Sequence, residues 1–83
     1  MLDLAALHDF AAVVRDGGFG AAARRLGVPK STVSKRVQML EASLGVRLLD
    51  RSTRALRLTA EGEALHRRAL SLLADAEETE RLV

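Results

Sequence analysis

Apolar residues recur along this chain at spacings of three and four, and glycines interrupt them at Gly17-Gly18, Gly27 and Gly45. That pattern predicts a series of short amphipathic helices. The first spans roughly Leu4 to Asp16, capped by Asp3, with Leu4, Leu7, Phe10, Ala11 and Val14 on its apolar face. The second is short, from Phe19 or Gly20 to Leu26, and Ala21, Ala22 and Ala23 are small enough to let another helix pack closely. Val28-Pro29 crosses the next turn, where proline suits the start of a helix. The third helix runs from Lys30 or Ser31 to Leu44, with an inward stripe of Val33, Val37, Leu40 and Leu44. Ser31, Ser34, Lys35 and Gln38 occupy its other face. Two helices joined by a tight glycine turn, the second outwardly polar and basic, form the helix-turn-helix pattern.

After Gly45 the period changes. Val46 to Asp50 and Ala55 to Leu58 read as two short strands, with Arg51-Ser52-Thr53-Arg54 at the tip between them. A hairpin this small is marginal alone, so it must pack on the helices through Leu48, Leu49, Leu56 or Leu58. Thr59 caps a last helix that runs to the chain's end, and Glu61 and Glu63 suit its positive end. Its best seam is Leu65, Ala69, Leu72, Ala76, Thr79 and Val83, broadened by Leu73. So long a stripe predicts pairing with a second copy, and two-fold symmetry is the commonest solution. Packing of Leu65, Leu72 and Leu73 inside one chain is the competing expectation. The fold class is therefore mainly α: a winged helix-turn-helix with a two-stranded wing over residues 1–58, and a long dimerisation helix over 59–83.

Charge sharpens this picture. Between Arg24 and Arg57 lie nine basic residues against Glu41 and Asp50, a formal charge of +7. The other 49 residues carry four basic and nine acidic residues, or −5, so the overall +2 hides the split. A basic middle on two short helices points to a polyanion, with nucleic acid as the default. Eighty-three residues suffice for one small domain, and 48% apolar content supports a folded one. With two Phe and neither Trp nor Tyr, a stacking platform for single-stranded bases is disfavoured. The absence of Cys excludes disulfides and thiolate metal sites, and His8 and His66 make no zinc site. Ser31 and Ser34 lack a base placed by any recognisable motif, Asp3, Asp9 and Asp16 form no metal constellation, and no phosphate-binding glycine loop is present. No catalytic residue, metal or cofactor is expected. Neither a signal peptide nor a membrane-spanning stretch is visible, so the expected location is the cytoplasm, on the nucleoid.

The ordered motifs are more specific than any of these classes. Leu7-His8-Asp9-Phe10 and Gly17-Gly18-Phe19 are followed by Ala21-Ala22-Ala23-Arg24-Arg25-Leu26-Gly27-Val28 and Ser31-Thr32-Val33-Ser34-Lys35-Arg36-Val37. Leu40-Glu41, Leu44-Gly45-Val46-Arg47-Leu48-Leu49-Asp50-Arg51 and Leu56-Arg57-Leu58-Thr59-Ala60-Glu61-Gly62 complete the series. The chain resembles the N-terminal DNA-binding domain of LysR-type bacterial transcriptional regulators over essentially its whole length. It departs from the common family pattern at Gly18, Gly20, Pro29 and Lys30, so base preferences do not carry over at the start of the third helix.

The resemblance implies a sequence-specific binder of double-stranded DNA, reading an interrupted inverted repeat as a homodimer through the linker helix. A full-length protein would often be a tetramer, with a small-molecule effector bound by a C-terminal domain that this chain lacks. It places the third helix in the major groove, with Pro29, Lys30, Ser31, Thr32, Ser34, Lys35 and Gln38 as the reading surface. Lysine can donate to guanine and Gln38 can bind adenine bidentately, while Pro29 serves chiefly to start the helix. Arg51 and Arg54 at the wing are expected to meet phosphate or a narrow minor groove. The alternative from another class is a winged-helix module for an acidic protein partner, since fold alone does not establish DNA binding.

Overall fold

The Asp3 carboxylate accepts hydrogen bonds from the amides of Ala5 and Ala6 and so starts α1, Leu4–Asp16, where the pattern predicts it. The computed structural model describes residues 1–51 and 55–83. It continues through α2 (Phe19–Leu26), α3 (Lys30–Leu44), β1 (Leu49–Asp50), β2 (Arg57–Leu58) and α4 (Ala60–Arg81). All four helices agree with the sequence reading to within a residue or two.

The turn between α2 and α3 depends on Gly27. Its φ of 72° is left-handed, and its amide and that of Val28 both reach back to the Ala23 carbonyl, at 2.9 and 3.1 Å. A side chain there would be strained whatever the space around it. Pro29 then sits extended at the head of α3, and its carbonyl accepts the Thr32 amide at 3.0 Å.

The core lies where α1, α2 and α3 meet. Leu7, Phe10 and Val13 from α1 interlock with Val33, Val37 and Leu40 from α3, and all six are essentially inaccessible. Full burial of each such side chain contributes roughly 1.5–3 kcal/mol before its ordering entropy is counted. Ala22 and Ala23 are buried beside them, and their small size lets α2 approach. Leu48 and Leu49 close the core from the wing, and Ala69 closes it from α4. Leu56 and Leu58 are half-buried against it, so all four expected wing anchors pack on the helical body.

Two parts of the pattern come out differently. Leu4 and Leu44, expected on inward stripes, are 45% and 41% exposed. Each lies at a helix end, one turn beyond the mass that covers its stripe. The strands pair antiparallel, Leu49 with Leu58 and Asp50 with Arg57, but only over two residues each. The amides of Leu48 and Leu49 donate to the Glu41 carboxylate instead, at 2.8 and 3.3 Å, and Val46 is exposed.

Thr59 ties the wing to the last helix. Its amide bonds the Leu48 carbonyl at 3.0 Å and its hydroxyl donates to the Arg47 carbonyl at 2.6 Å. The same oxygen accepts the Gly62 amide at 3.0 Å, capping α4. Gly62 is needed there because a Cβ would run into the Leu48 carbonyl oxygen. A close backbone approach therefore fixes where α4 leaves the wing.

Candidate nucleic-acid interface

α3 has a fixed inner face and an open outer one. Val33, Val37, Leu40 and Glu41 are buried. Pro29, Lys30, Ser31, Lys35 and Gln38 are exposed, and Thr32 and Ser34 are half-buried. Ser31, Ser34, Lys35 and Gln38 recur at three and four, so they line one side of the helix away from the core. Every residue expected on the reading surface thus lies on the outer side or leading end of α3. Neither Gly18 nor Pro29 supplies a side-chain cap to the helix it precedes.

The surrounding basic residues divide into two groups. Arg25 of α2 bonds Asp16 of α1 at 2.8 Å, and this hydrogen bond holds the Asp16 carboxyl below its ordinary value. Arg36 of α3 donates to Asp9 of α1 at 2.9 Å, and Asp9 is buried. Arg51, just after β1, donates from one nitrogen to both oxygens of Glu41, at 2.9 and 3.1 Å. These three pairs bridge separate elements. Among the described residues, no ion pair engages Lys30, Lys35, Arg24, Arg47 or Arg57, and all five are exposed. Arg54, expected at the wing tip, lies outside the described residues.

Sequence reasoning missed the structural role of Asp9; it allowed the basic stretch a pairing with Glu41, but not through Arg51 or with two buried amides on the same carboxylate. The signal was present in the spacing. Glu41 continues the buried stripe of Val33 and Val37 at intervals of four, and Asp9 stands three after Ala6 and four before Val13. An acid on an apolar stripe needs a buried donor set. No buried side-chain polar atom lacks a partner among the described residues.

The seam expected on α4 splits into two. Ala69 is fully buried, and Leu65 and Leu72 are half-buried against this chain's own core. Phe10 and His66 meet edge to face, with ring centroids 6.4 Å apart and planes at 82°, which also ties α4 to α1. Ala76, Thr79 and Val83 are exposed. Alongside runs a groove of about 420 Å³ between α1 and α4, lined by His8, Ala11, Ala12, Leu70, Leu73 and Ala74 among others. Leu70 is 56% exposed at its edge. Among the described residues no helix is long and apolar enough to cross a membrane, and no three His, Cys, Asp or Glu side chains are grouped to hold a metal.

Residues 4–63 match the family model of the bacterial regulatory helix-turn-helix proteins of the lysR family. The chain belongs to this family. It is 47% identical over 74 residues to an HTH-type transcriptional regulator of Xanthomonas campestris pv. campestris (strain 8004), a match covering 89% of this chain and 22% of that protein. A second HTH-type transcriptional regulator, from Azotobacter vinelandii, is 46% identical over 80 residues, covering 96% of this chain and 56% of the relative. The chain therefore spans only part of the length of these relatives. The solved complex of the BenM DNA-binding domain with catB site 1 DNA superposes with a TM-score of 0.91 at 33% identity, over 95% of this chain and 85% of that one. A full-length BenM variant gives 0.90 at 32% identity, over 96% of this chain and 26% of that protein. The mainly helical winged architecture is thus that of LysR-type DNA-binding domains.

Proposed function

We propose that this LysR-type domain binds double-stranded DNA sequence-specifically, as the DNA-reading part of a bacterial transcriptional regulator. The observation that carries the reading is the outer face of α3. Its inner face is locked into the core, and its exposed leading end presents Lys30 and Lys35 outside any ion pair among the described residues. The likeness to a domain solved with DNA supports the same placement. The helix enters a major groove, where Lys30 and Lys35 meet guanine edges or phosphate and Ser34 and Gln38 approach bases. The wing adds backbone or minor-groove contacts beside it. The role is binding rather than catalysis, in the cytoplasm on the nucleoid.

Residues 1–58 carry the reading and residues 59–83 carry self-association. Two copies pair through α4 and present two α3 helices to an interrupted inverted repeat. Because Leu65, Ala69 and Leu72 serve the chain's own core, pairing uses the exposed remainder of the seam, Ala76, Thr79 and Val83. Effector binding and tetramer formation belong to a further domain of the full-length regulator.

Selection from a genomic duplex library, with Ser34→Ala/Lys35→Ala as control, tests the reading. Enrichment of one interrupted inverted repeat that the control loses is expected. Failure to retain duplex DNA even at low salt would instead favour an acidic protein partner. Sedimentation of Ala76→Glu tests the pairing face: a larger monomer fraction than wild type is expected, with unchanged helix content.

A further inference from the structure

Arg51 was expected to meet DNA, yet its charge is already engaged. One of its terminal nitrogens lies 2.9 and 3.1 Å from the two oxygens of Glu41, whose side chain is only 7% exposed. The same carboxylate accepts the amides of Leu48 and Leu49. The Arg51 guanidinium carbon also stands 5.8 Å from the centroid of the Phe19 ring, within cation–π range. One side chain, rooted just after β1, therefore touches both the start of α2 and the second half of α3. To reach a phosphate it would have to leave a buried carboxylate short of a charged donor, a costly exchange.

We propose that Arg51 is a positioning residue. With Glu41 it forms a strut that sets the wing's base against α3, and so fixes the angle between the two DNA-facing elements. It acts on DNA through the wing, without contacting DNA itself. The part of this inference that concerns DNA rests on the function proposed above. The strut can be examined without any DNA.

Two variants, Arg51→Met and Glu41→Gln, test it in two arms. The first arm follows amide hydrogen exchange in the free domain. Both variants should speed exchange at Leu48 and Leu49 several-fold more than in α1, whose amides report global opening. Uniform change across the domain, or no change at Leu48 and Leu49, overturns the strut.

The second arm measures affinity and backbone protection on a selected duplex. Each variant should weaken binding about tenfold, the scale of one lost charge-assisted contact. The double variant should be no worse than the weaker single, because both remove the same link. Protection should fade across the wing's flank while that under α3 persists. A direct phosphate contact predicts the opposite for Glu41→Gln, which would free Arg51 and tighten binding. It also predicts that Arg51→Met removes protection at one phosphate and lowers the salt slope by about 0.9, with the wing's other contacts intact. Either result overturns the proposal. Should the wild-type domain fail to bind DNA, the exchange arm still decides the strut, and only the DNA-binding reading falls.

Discussion

Arg25, Arg36 and Arg51 direct their charge into the domain, against Asp16, Asp9 and Glu41, whereas Lys30 and Lys35 hold theirs outward at the head and flank of α3. The eight described basic residues of this stretch are thus two populations with different work. One joins α1 to α2, α1 to α3 and α3 to the wing. The other is left for a partner. Arg36 is the informative member, because it follows Lys35 directly in the chain and faces the opposite duty. Adjacent residues on a helix project about 100° apart, so one can clasp an acid in the core while the next faces solvent. Charge density locates a polyanion surface, and only the pairing shows which cations remain to meet it.

The sharpest way to break this contrast is at Glu41. Glu41→Ala removes the acceptor of two buried amides and of Arg51, and should cost on the order of 3 kcal/mol in urea unfolding. Lys35→Ala, with no partner to strand among the described residues, should stay within about 0.5 kcal/mol of wild type. A similar cost for both would erase the distinction. Arg36→Met comes next. It leaves the Asp9 carboxylate without its arginine and should cost about 1 kcal/mol, discounted because Arg36 is itself half exposed. Its DNA affinity at a fixed fraction folded should match wild type.

The smallest effect sharpens the comparison at the surface. Arg25 holds the Asp16 carboxyl below its ordinary 3.8, so the native state favours the ionised form. This contribution is complete above that value and is lost as pH falls through the lower native one. Asp16→Asn should therefore lie below wild type in stability at neutral pH and converge with it in strong acid. A gap that stays constant down to the lowest pH would assign the loss to something other than this ion pair.

The limits of sequence reading follow the same division. Helix boundaries were legible because glycines and caps act locally: Asp3, Gly27 and Thr59 each do their work within a few residues. The outer face of α3 was legible because Ser31, Ser34, Lys35 and Gln38 repeat at helical spacing opposite Val33, Val37 and Leu40. What covers an apolar stripe was not. The spacing of Leu65, Ala69 and Leu72 is the same whether α1 or a second chain lies against it, and here α1 does. The pairing of Asp9, and which arginine meets Glu41, were hidden for a related reason, since Arg36 lies 27 positions from its acid and Arg51 lies 10 from its own. Gly62 reads as an ordinary break in a helix start until the Leu48 carbonyl is seen beside it.

The most direct test measures how duplex affinity depends on salt in two double variants. Lys30→Ala/Lys35→Ala should lower the slope of log affinity against log salt by about 1.8, two phosphate-scale contacts at about 0.9 each. Arg25→Ala/Arg36→Ala should leave the wild-type slope unchanged when compared at equal fraction folded. Equal losses from both pairs, or a larger loss from the second, would contradict the claim that the unpaired face of α3 is the one that meets DNA.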